Sequence, residues 1–458
     1  MEKEPYWHSV TLDRDTCKGC TNCLKQCPTQ AIRIQNGKAK ILKERCIDCG
    51  ECIRVCPYHA KKAVTDGFER LEEYQYTVAL VAPAFYGQFS RTEDCNLILT
   101  SLLQLGFDDV YEVARGAQEI SAATREFLKS GELMKPAISS ACPAVCRLIA
   151  VRFPNLINHI IPLRSPMELS AEAARKEAVE KTGLLPEEIG LFFISPCAAK
   201  ATAVKDGLTV KKSEVDGVIS IKDVYLRLAQ KIGNIKEVKH LSCAGSLGAL
   251  WATSGGEANA TRAERRISVD GIHNVIKVLE DIEDDKLIDI DYVEALACPG
   301  GCVGGPLAAE NNFVARSRIK RMSKSLPEEQ GSIPDSIRRT WDEAPVYRPI
   351  LKLNDDLGTA MQMAMKIEEI LEHFPGLDCG SCGSPSCRAL AEDIVRGYAQ
   401  ETDCIFVMRE RLRELLRHVS ENNIQLPPEV LKGWKRPSDR KEKPQKSEVQ
   451  NHENKGNS

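Results

Sequence analysis

The chain has 458 residues, 43% of them hydrophobic and 5% aromatic, with a net charge of −3. That length allows roughly two to four domains with proper cores. The near-neutral charge gives no general pull toward nucleic acid or anionic membrane, and so few aromatics do not make a base-stacking platform. No apolar run reaches the roughly 18 residues a membrane span needs, and the N-terminal MEKEPYWHSVTLDRD lacks the apolar core of a signal peptide. A cytoplasmic chain without membrane insertion is therefore expected. In such a chain 19 cysteines point to metal or redox clusters rather than to disulfides.

In chain order, CKGCTNCLKQCP (17–28) comes first and recurs as CIDCGECIRVCP (46–57). Both copies space their cysteines Cys-x2-Cys-x2-Cys-x3-Cys-Pro, and each is followed by a short apolar stretch, AIRI or KKAV. This is the two-cluster ferredoxin pattern, in which the fourth cysteine of one run ligates the other cluster. It assigns Cys17, Cys20, Cys23 and Cys56 to one 4Fe–4S cluster, and Cys46, Cys49, Cys52 and Cys27 to a second. Structural zinc is the weaker reading, because three closely spaced cysteines and a crossed fourth suit a cuboidal cluster better than a tetrahedral ion. Residues 1–75 form this small α+β domain, and its metal must hold it together.

From 76 the texture changes. TVALVAPA, GLFFISPC and DYVEALAC are apolar runs ending in small-residue loops, the pattern of buried parallel strands whose C-terminal ends carry chemistry. Between them lie helical segments such as SAATREFLKSG, SPMELSAEAARKEAVEKTG and KDVYLRLAQKIG. The alternation predicts an α/β domain over 76–355 with parallel sheets in two lobes. Four more cysteines, Cys142, Cys197, Cys298 and Cys302, sit in its small-residue loops. Their spacing leaves open whether they converge on one site or are scattered structural residues. Cys95, Cys146 and Cys243 read as small buried hydrophobes.

Residues 357–374 repeat apolar residues at helical spacing, with their methionines as core or docking residues. Cys379, Cys382, Cys387 and Cys404 follow, spaced Cys-x2-Cys-x4-Cys-x16-Cys, in a segment FPGLDCGSCGSPSCRALAEDIVRG that resembles the small 4Fe–4S domain of several electron-transfer proteins; the resemblance implies a helical domain over 356–434 binding a further 4Fe–4S cluster, and a zinc ribbon is the alternative. The polar tail 435–458 is expected to be disordered.

SSACPAV (139–145), SPCAAKATA (195–203) and EALACPGGCVGGP (294–306), with VAPA (81–84) and GALWATSGGEANATR (248–262), resemble the loop motifs of the iron-only ([FeFe]) hydrogenase family over the chain to about 434. The resemblance implies that Cys142, Cys197, Cys298 and Cys302 hold the 4Fe–4S part of an H-cluster. Cys302 would bridge to a two-iron subcluster bearing CO, cyanide and a dithiolate. Lys200 would bond a cyanide, and Pro83, Ala84 and Ser195 would line the site. The implied reaction is reversible H2 oxidation and proton reduction by an anaerobic oxidoreductase. Implied partners are H2 and protons, an electron-transfer protein such as ferredoxin or a signalling partner, and hydrogenase maturation proteins. The two ferredoxin clusters would lie on one side of the catalytic domain and the third accessory cluster on the other.

The chain departs from the family along its proton path. Ala141 stands at the cysteine position, Thr124 and Phe127 at two glutamates, and Ile161 at a serine; Glu126 lies one residue off. Ser195 and Leu296 replace methionines, Ala203 a glutamate, Val145 a tryptophan, and Ala258 a methionine. Glu257 takes an apolar position. Such departures look like the sensory members of the family, with slow turnover. Glu257 and Glu294 are candidates for a substitute proton relay; the alternative makes Glu257 a solvated loop carboxylate and Glu294 the partner of a buried cation. The other functional reading is a hydrogenase-like iron–sulfur electron carrier or assembly protein without the two-iron subcluster.

Overall fold

The N-terminal repeat folds as two antiparallel strand pairs around short helical turns. The computed structural model describes residues 7–90, 94–350 and 352–421, so the tail 435–458 lies outside the described residues. Strand β1 (Val10–Leu12) pairs with β4 (Lys61–Ala63), and β2 (Ile32–Gln35) with β3 (Lys38–Ile41). The buried core between them is small: Cys17, Cys23, Leu24, Ile32, Ala39, Cys56 and Ala60. Three of those seven are cysteines, so the module has little to hold it together apart from what its thiols bind.

The middle of the chain carries two parallel sheets. One has four strands in the order β6 (Asp109–Glu112), β5 (Tyr76–Val81), β8 (Ile189–Ser195), β9 (Gly217–Ser220). The other has three, β10 (Arg266–Asp270), β11 (Tyr292–Leu296), β7 (Ala137–Ile138). Alternation with period two explains why the central strands read as unbroken apolar runs. Val78 and Leu80 enter one core cluster and Ala79 and Val81 another; on β8, Leu191 and Phe193 divide from Phe192 and Ile194 in the same way. A third cluster forms around Ile138, Val293 and Ala295 of the smaller sheet. Helices Val113–Ser130 and Pro166–Thr182, both expected from the sequence, pack together over the larger sheet. Among the described residues no helix is long and apolar enough to cross a membrane.

Two compact units divide the chain, Met1–Ala399 and Gln400–Ser458. Cys379, Cys382 and Cys387 belong to the first and Cys404 to the second. Within the first unit, residues 378–395 lie against the ferredoxin-like repeat. Ile34 N–H donates to Gly383 O at 2.8 Å, and Arg33 grips Asp393 with two bonds, Nε to Oδ2 at 2.5 Å and Nη2 to Oδ1 at 3.0 Å. Arg45 reaches Glu392 at 2.5 Å. These cysteines therefore sit beside the repeat, not across the catalytic domain from it as expected. Two buried arginines in the repeat find their anions there.

The helix Leu357–Glu372 forms as predicted, but Met361 and Met365 are 60% and 72% exposed and are not core. Only the strip through Ile367, Ile370 and Phe374 is buried, and the methionines fall outside it. Cys95 and Cys146 are buried as expected; Cys243 is exposed, on a loop that Glu112 holds through the Cys243 and Ala244 N–H groups.

Candidate metal centre

The loops leaving β7, β8 and β11 turn toward one another at the C-terminal ends of both sheets, where open α/β sheets place their ligands. Cys142 caps the helix Pro143–Arg152, whose Pro143 stands at the first helical position. Cys197 caps Ala198–Lys205. Both thiols thus stand at helix N-termini, which favour an anion. Ser195 shapes the second loop: its Oγ accepts from Cys197 N–H at 3.1 Å. Cys298 follows β11, and Cys302 opens a single turn, Cys302–Gly304. Glycine is required where these loops meet. A Cβ on Gly305 would fall 2.2 Å from Pro196 O, and Leu307 N–H donates to the same oxygen at 3.0 Å. That contact draws the Cys302 loop onto the Cys197 loop.

The four cysteines share one cavity of about 100 Å³, with Pro83, Ala84, Ala141, Lys200, Glu257 and Leu296 also in its wall. Lys200 reaches it from one turn beyond Cys197 on the same helix. Ser195 is fully buried behind Cys197 and does not line the cavity, nor does Glu294. Burial pushes the Cys197 thiol up to about 11 and Cys298 up to about 12, and raises Cys302 well above its ordinary value; the neighbouring cysteines add to each rise. Four converging sulfurs, with Cys197, Cys298 and Cys302 resisting ionisation by themselves, fit a soft cation or cluster that displaces thiol protons. The donor set is therefore suited to an iron–sulfur group, and the apolar walls to keeping water from it.

Glu257 and Glu294 are both buried, contrary to a solvated position for Glu257. Glu257 accepts from Ser139 Oγ and Tyr292 OH, each at 2.6 Å. Burial pushes its carboxyl up, and those two hydroxyls, then Lys200, pull it back. Glu294 accepts from Gly255 N–H (3.1 Å), Ala258 N–H (3.0 Å) and Ser268 Oγ (3.1 Å), with no cation among these partners. Burial and then the charge of Glu257 push its carboxyl up to about 8. Ser268 is exposed and sits opposite Glu294 in the β10–β11 register. Ser139, Tyr292 and Ser268 were not singled out from the sequence; the i, i+2 placement of Tyr292 and Glu294 on one strand face is the signal that points to the tyrosine.

At Thr124, Ile161 and Glu126, which the resemblance sets along or beside a proton path, no side chain is free to face the cavity. Thr124 is buried with its hydroxyl spent on Ile120 O at 2.8 Å, Ile161 is 1% exposed, and Glu126 faces solvent. The ferredoxin-like repeat abuts the site. A Cβ on Gly50 would lie 2.4 Å from Pro306 Cγ. The Cys298 thiol, raised chiefly by burial, is pulled back by the Arg54 cation.

The family described as "Iron only hydrogenase large subunit, C-terminal domain" matches residues 75–265 and 254–306, together just over half of the chain. This chain belongs to that family. A 4Fe-4S dicluster domain matches residues 9–57, and an Fe-S cluster family matches 374–406, so the hydrogenase-like core is flanked by iron–sulfur segments on both sides. The chain is 28% identical over 212 residues to the Periplasmic [Fe] hydrogenase large subunit of Nitratidesulfovibrio vulgaris, covering 42% of this chain and 50% of that protein. It is 23% identical over 263 residues to Iron hydrogenase 1 of Clostridium pasteurianum, covering 45% and 44%. It thus spans about half the length of these two relatives. A Probable cytosolic Fe-S cluster assembly factor of Brugia malayi is 21% identical over 396 residues, 74% of this chain and 82% of that one. Among solved structures, the [FeFe]-hydrogenase HydA1 of Chlamydomonas reinhardtii is similar with a TM-score of 0.47 and 16% identity, over 62% of this chain and 98% of that one.

Proposed function

We propose that this hydrogenase-like iron–sulfur protein carries out reversible H2 oxidation slowly, with a rebuilt proton route, and serves as a hydrogen sensor. The observation that carries the reading is the meeting of Cys142, Cys197, Cys298, Cys302 and Lys200 around one apolar cavity. Those four cysteines would hold the 4Fe–4S part of the H-cluster, with Cys302 also facing the two-iron part. When bound, that group supplies the chemistry at the H–H bond. Lys200 offers a fixed cation to an anionic ligand, and Pro83, Ala84 and Leu296 exclude water. Glu257 stands in the cavity wall, where it can take a proton on Oε2, its Oε1 being held by Ser139 and Tyr292. Glu294, whose ionisation Glu257 opposes, would receive it and pass it to Ser268 at the surface. Electrons would leave through clusters on Cys17, Cys20, Cys23 and Cys56 and on Cys46, Cys49, Cys52 and Cys27. A further cluster would use Cys379, Cys382, Cys387 and Cys404.

One observation favours a second reading. The similarity to the assembly factor covers more of both chains than that to either hydrogenase, which fits an iron–sulfur carrier or assembly protein without the two-iron subcluster. Expression with hydrogenase maturation proteins separates the two. Infrared bands of metal-bound CO and cyanide are expected; protein that takes up its iron–sulfur clusters yet shows no such bands overturns the hydrogenase reading.

A further inference from the structure

Lys61, at the start of β4, breaks the rule that a buried charge is paired. Its residue is 2% exposed and its Nζ has no hydrogen-bond partner among the described residues. It lines a small cavity together with Cys17, Cys20, Cys23 and Cys56, the four cysteines assigned to the first cluster. Lys18, which touches the same cavity, is exposed and solvated.

The internal repeat makes the placement more telling. Counting from the Cys-Pro of each copy, Ala60-Lys61-Lys62 corresponds to Ala31-Ile32-Arg33. The residue equivalent to Lys61 is therefore Ile32, which is also 2% exposed. Two copies of one module, each burying the same position, differ there by a full positive charge. The two cluster sites also differ in what they face. Gly50, beside Cys49 of the second set, packs on Pro306 next to the catalytic loops, whereas Cys20 of the first set is exposed.

We propose that Lys61 is the counter-ion of the first N-terminal cluster, that its ammonium favours the reduced state there, and that this cluster is where electrons collect before leaving the protein. The step is a one-electron transfer. An electron passes from the second cluster, or from an added low-potential reductant, to the first, adding one negative charge to an already anionic cluster–thiolate assembly; no bond breaks and no proton moves. A buried cation lowers the cost of that added charge, and an isoleucine does not. The inference rests on the cluster-ligand sets proposed for the repeat but not on the two-iron centre. Protein made without maturation factors serves for its test, so its failure and that of the hydrogenase reading are separate results.

The test is an anaerobic potentiometric titration followed by EPR, on the full chain and on Lys61→Met, which keeps the length and removes the charge. One 4Fe–4S midpoint is expected to fall by about 59 mV or more, a tenfold change in its reduced-to-oxidised ratio, at unchanged iron content. Ile32→Leu, at the equivalent position, is expected to shift none comparably. Unchanged midpoints in iron-replete Lys61→Met, or an equal shift in Ile32→Leu, overturn the proposal. Should Lys61→Met lose its iron, pulsed EPR on reduced protein with lysine labelled at Nζ alone decides, with Lys18→Arg and Lys38→Arg so that Lys61 is the source, since Lys38 Nζ donates to Cys17 O at 2.7 Å. A nitrogen coupling to the cluster is expected, and its absence overturns the proposal.

Discussion

Ala141 is in the cavity wall, and restoring a cysteine there does not restore a path. Beyond it Thr124 has spent its hydroxyl on Ile120, and Ile161 and Phe127 have no proton to give. Ala141→Cys alone is therefore expected to leave hydrogen turnover unchanged. Glu257→Gln keeps the size of the side chain and its acceptor oxygen for Ser139 and Tyr292 but cannot take up a proton. It should lower turnover by roughly 10²–10⁴-fold while the CO and cyanide bands persist; unchanged turnover would sink the relay. Glu294 makes a second prediction, on stability. Its folded-state value, about 8, lies above the ordinary 4.5, so the fold favours the neutral carboxyl. The associated stability is fully present below 4.5 and is lost as pH rises through about 8. Anaerobic thermal melting should show this loss in the wild type and a flatter profile in Glu294→Gln. A steeper loss in the variant would contradict the assignment.

At the scale of elements, strand ends decide the site. Each of the loops carrying Cys142, Cys197 and Cys298 leaves the C-terminal end of a parallel strand, and the two sheets aim those ends at one cavity. The same reasoning accounts for the segment 378–395. Arg33 on β2 and Arg45 in the turn after β3 are 3% and 5% exposed, and their anions Asp393 and Glu392 come from the later cysteine segment. Arg33→Ala leaves Asp393 buried with its charge uncompensated, at a cost of about 3–5 kcal/mol. Denaturant unfolding should report that loss, whereas Arg33 acting only as a surface pair would register about 1 kcal/mol or less.

For the whole molecule the contrast is between parts that own a core and a part that borrows one. The larger sheet is covered on both faces by extensive apolar clusters, while the N-terminal module's own apolar cluster has seven buried residues, three of them cysteines. Anaerobic iron chelation is therefore expected to abolish amide protection over residues 8–63 while β5 and β8 stay protected, as read by hydrogen exchange. Uniform protection after complete iron loss would mean that the module folds on its apolar residues alone.

The sequence by itself determined the ferredoxin-like repeat, the parallel α/β core and the loops that carry the four central cysteines. Those features are local: cysteine spacing, period-two burial and small residues after apolar runs are written in contiguous stretches. Only the tertiary structure decided that the three loops carrying the four cysteines meet in one cavity, because each leaves a different strand and the glycine contact at Gly305 and Pro196 is made across more than a hundred residues of chain. It decided too that Glu257 is buried on Ser139 and Tyr292, that Ser195 stands behind Cys197, and that residues 378–395 lie beside the repeat. Burial and charge pairing depend on which distant surfaces come together, and a residue's neighbours in sequence do not record that.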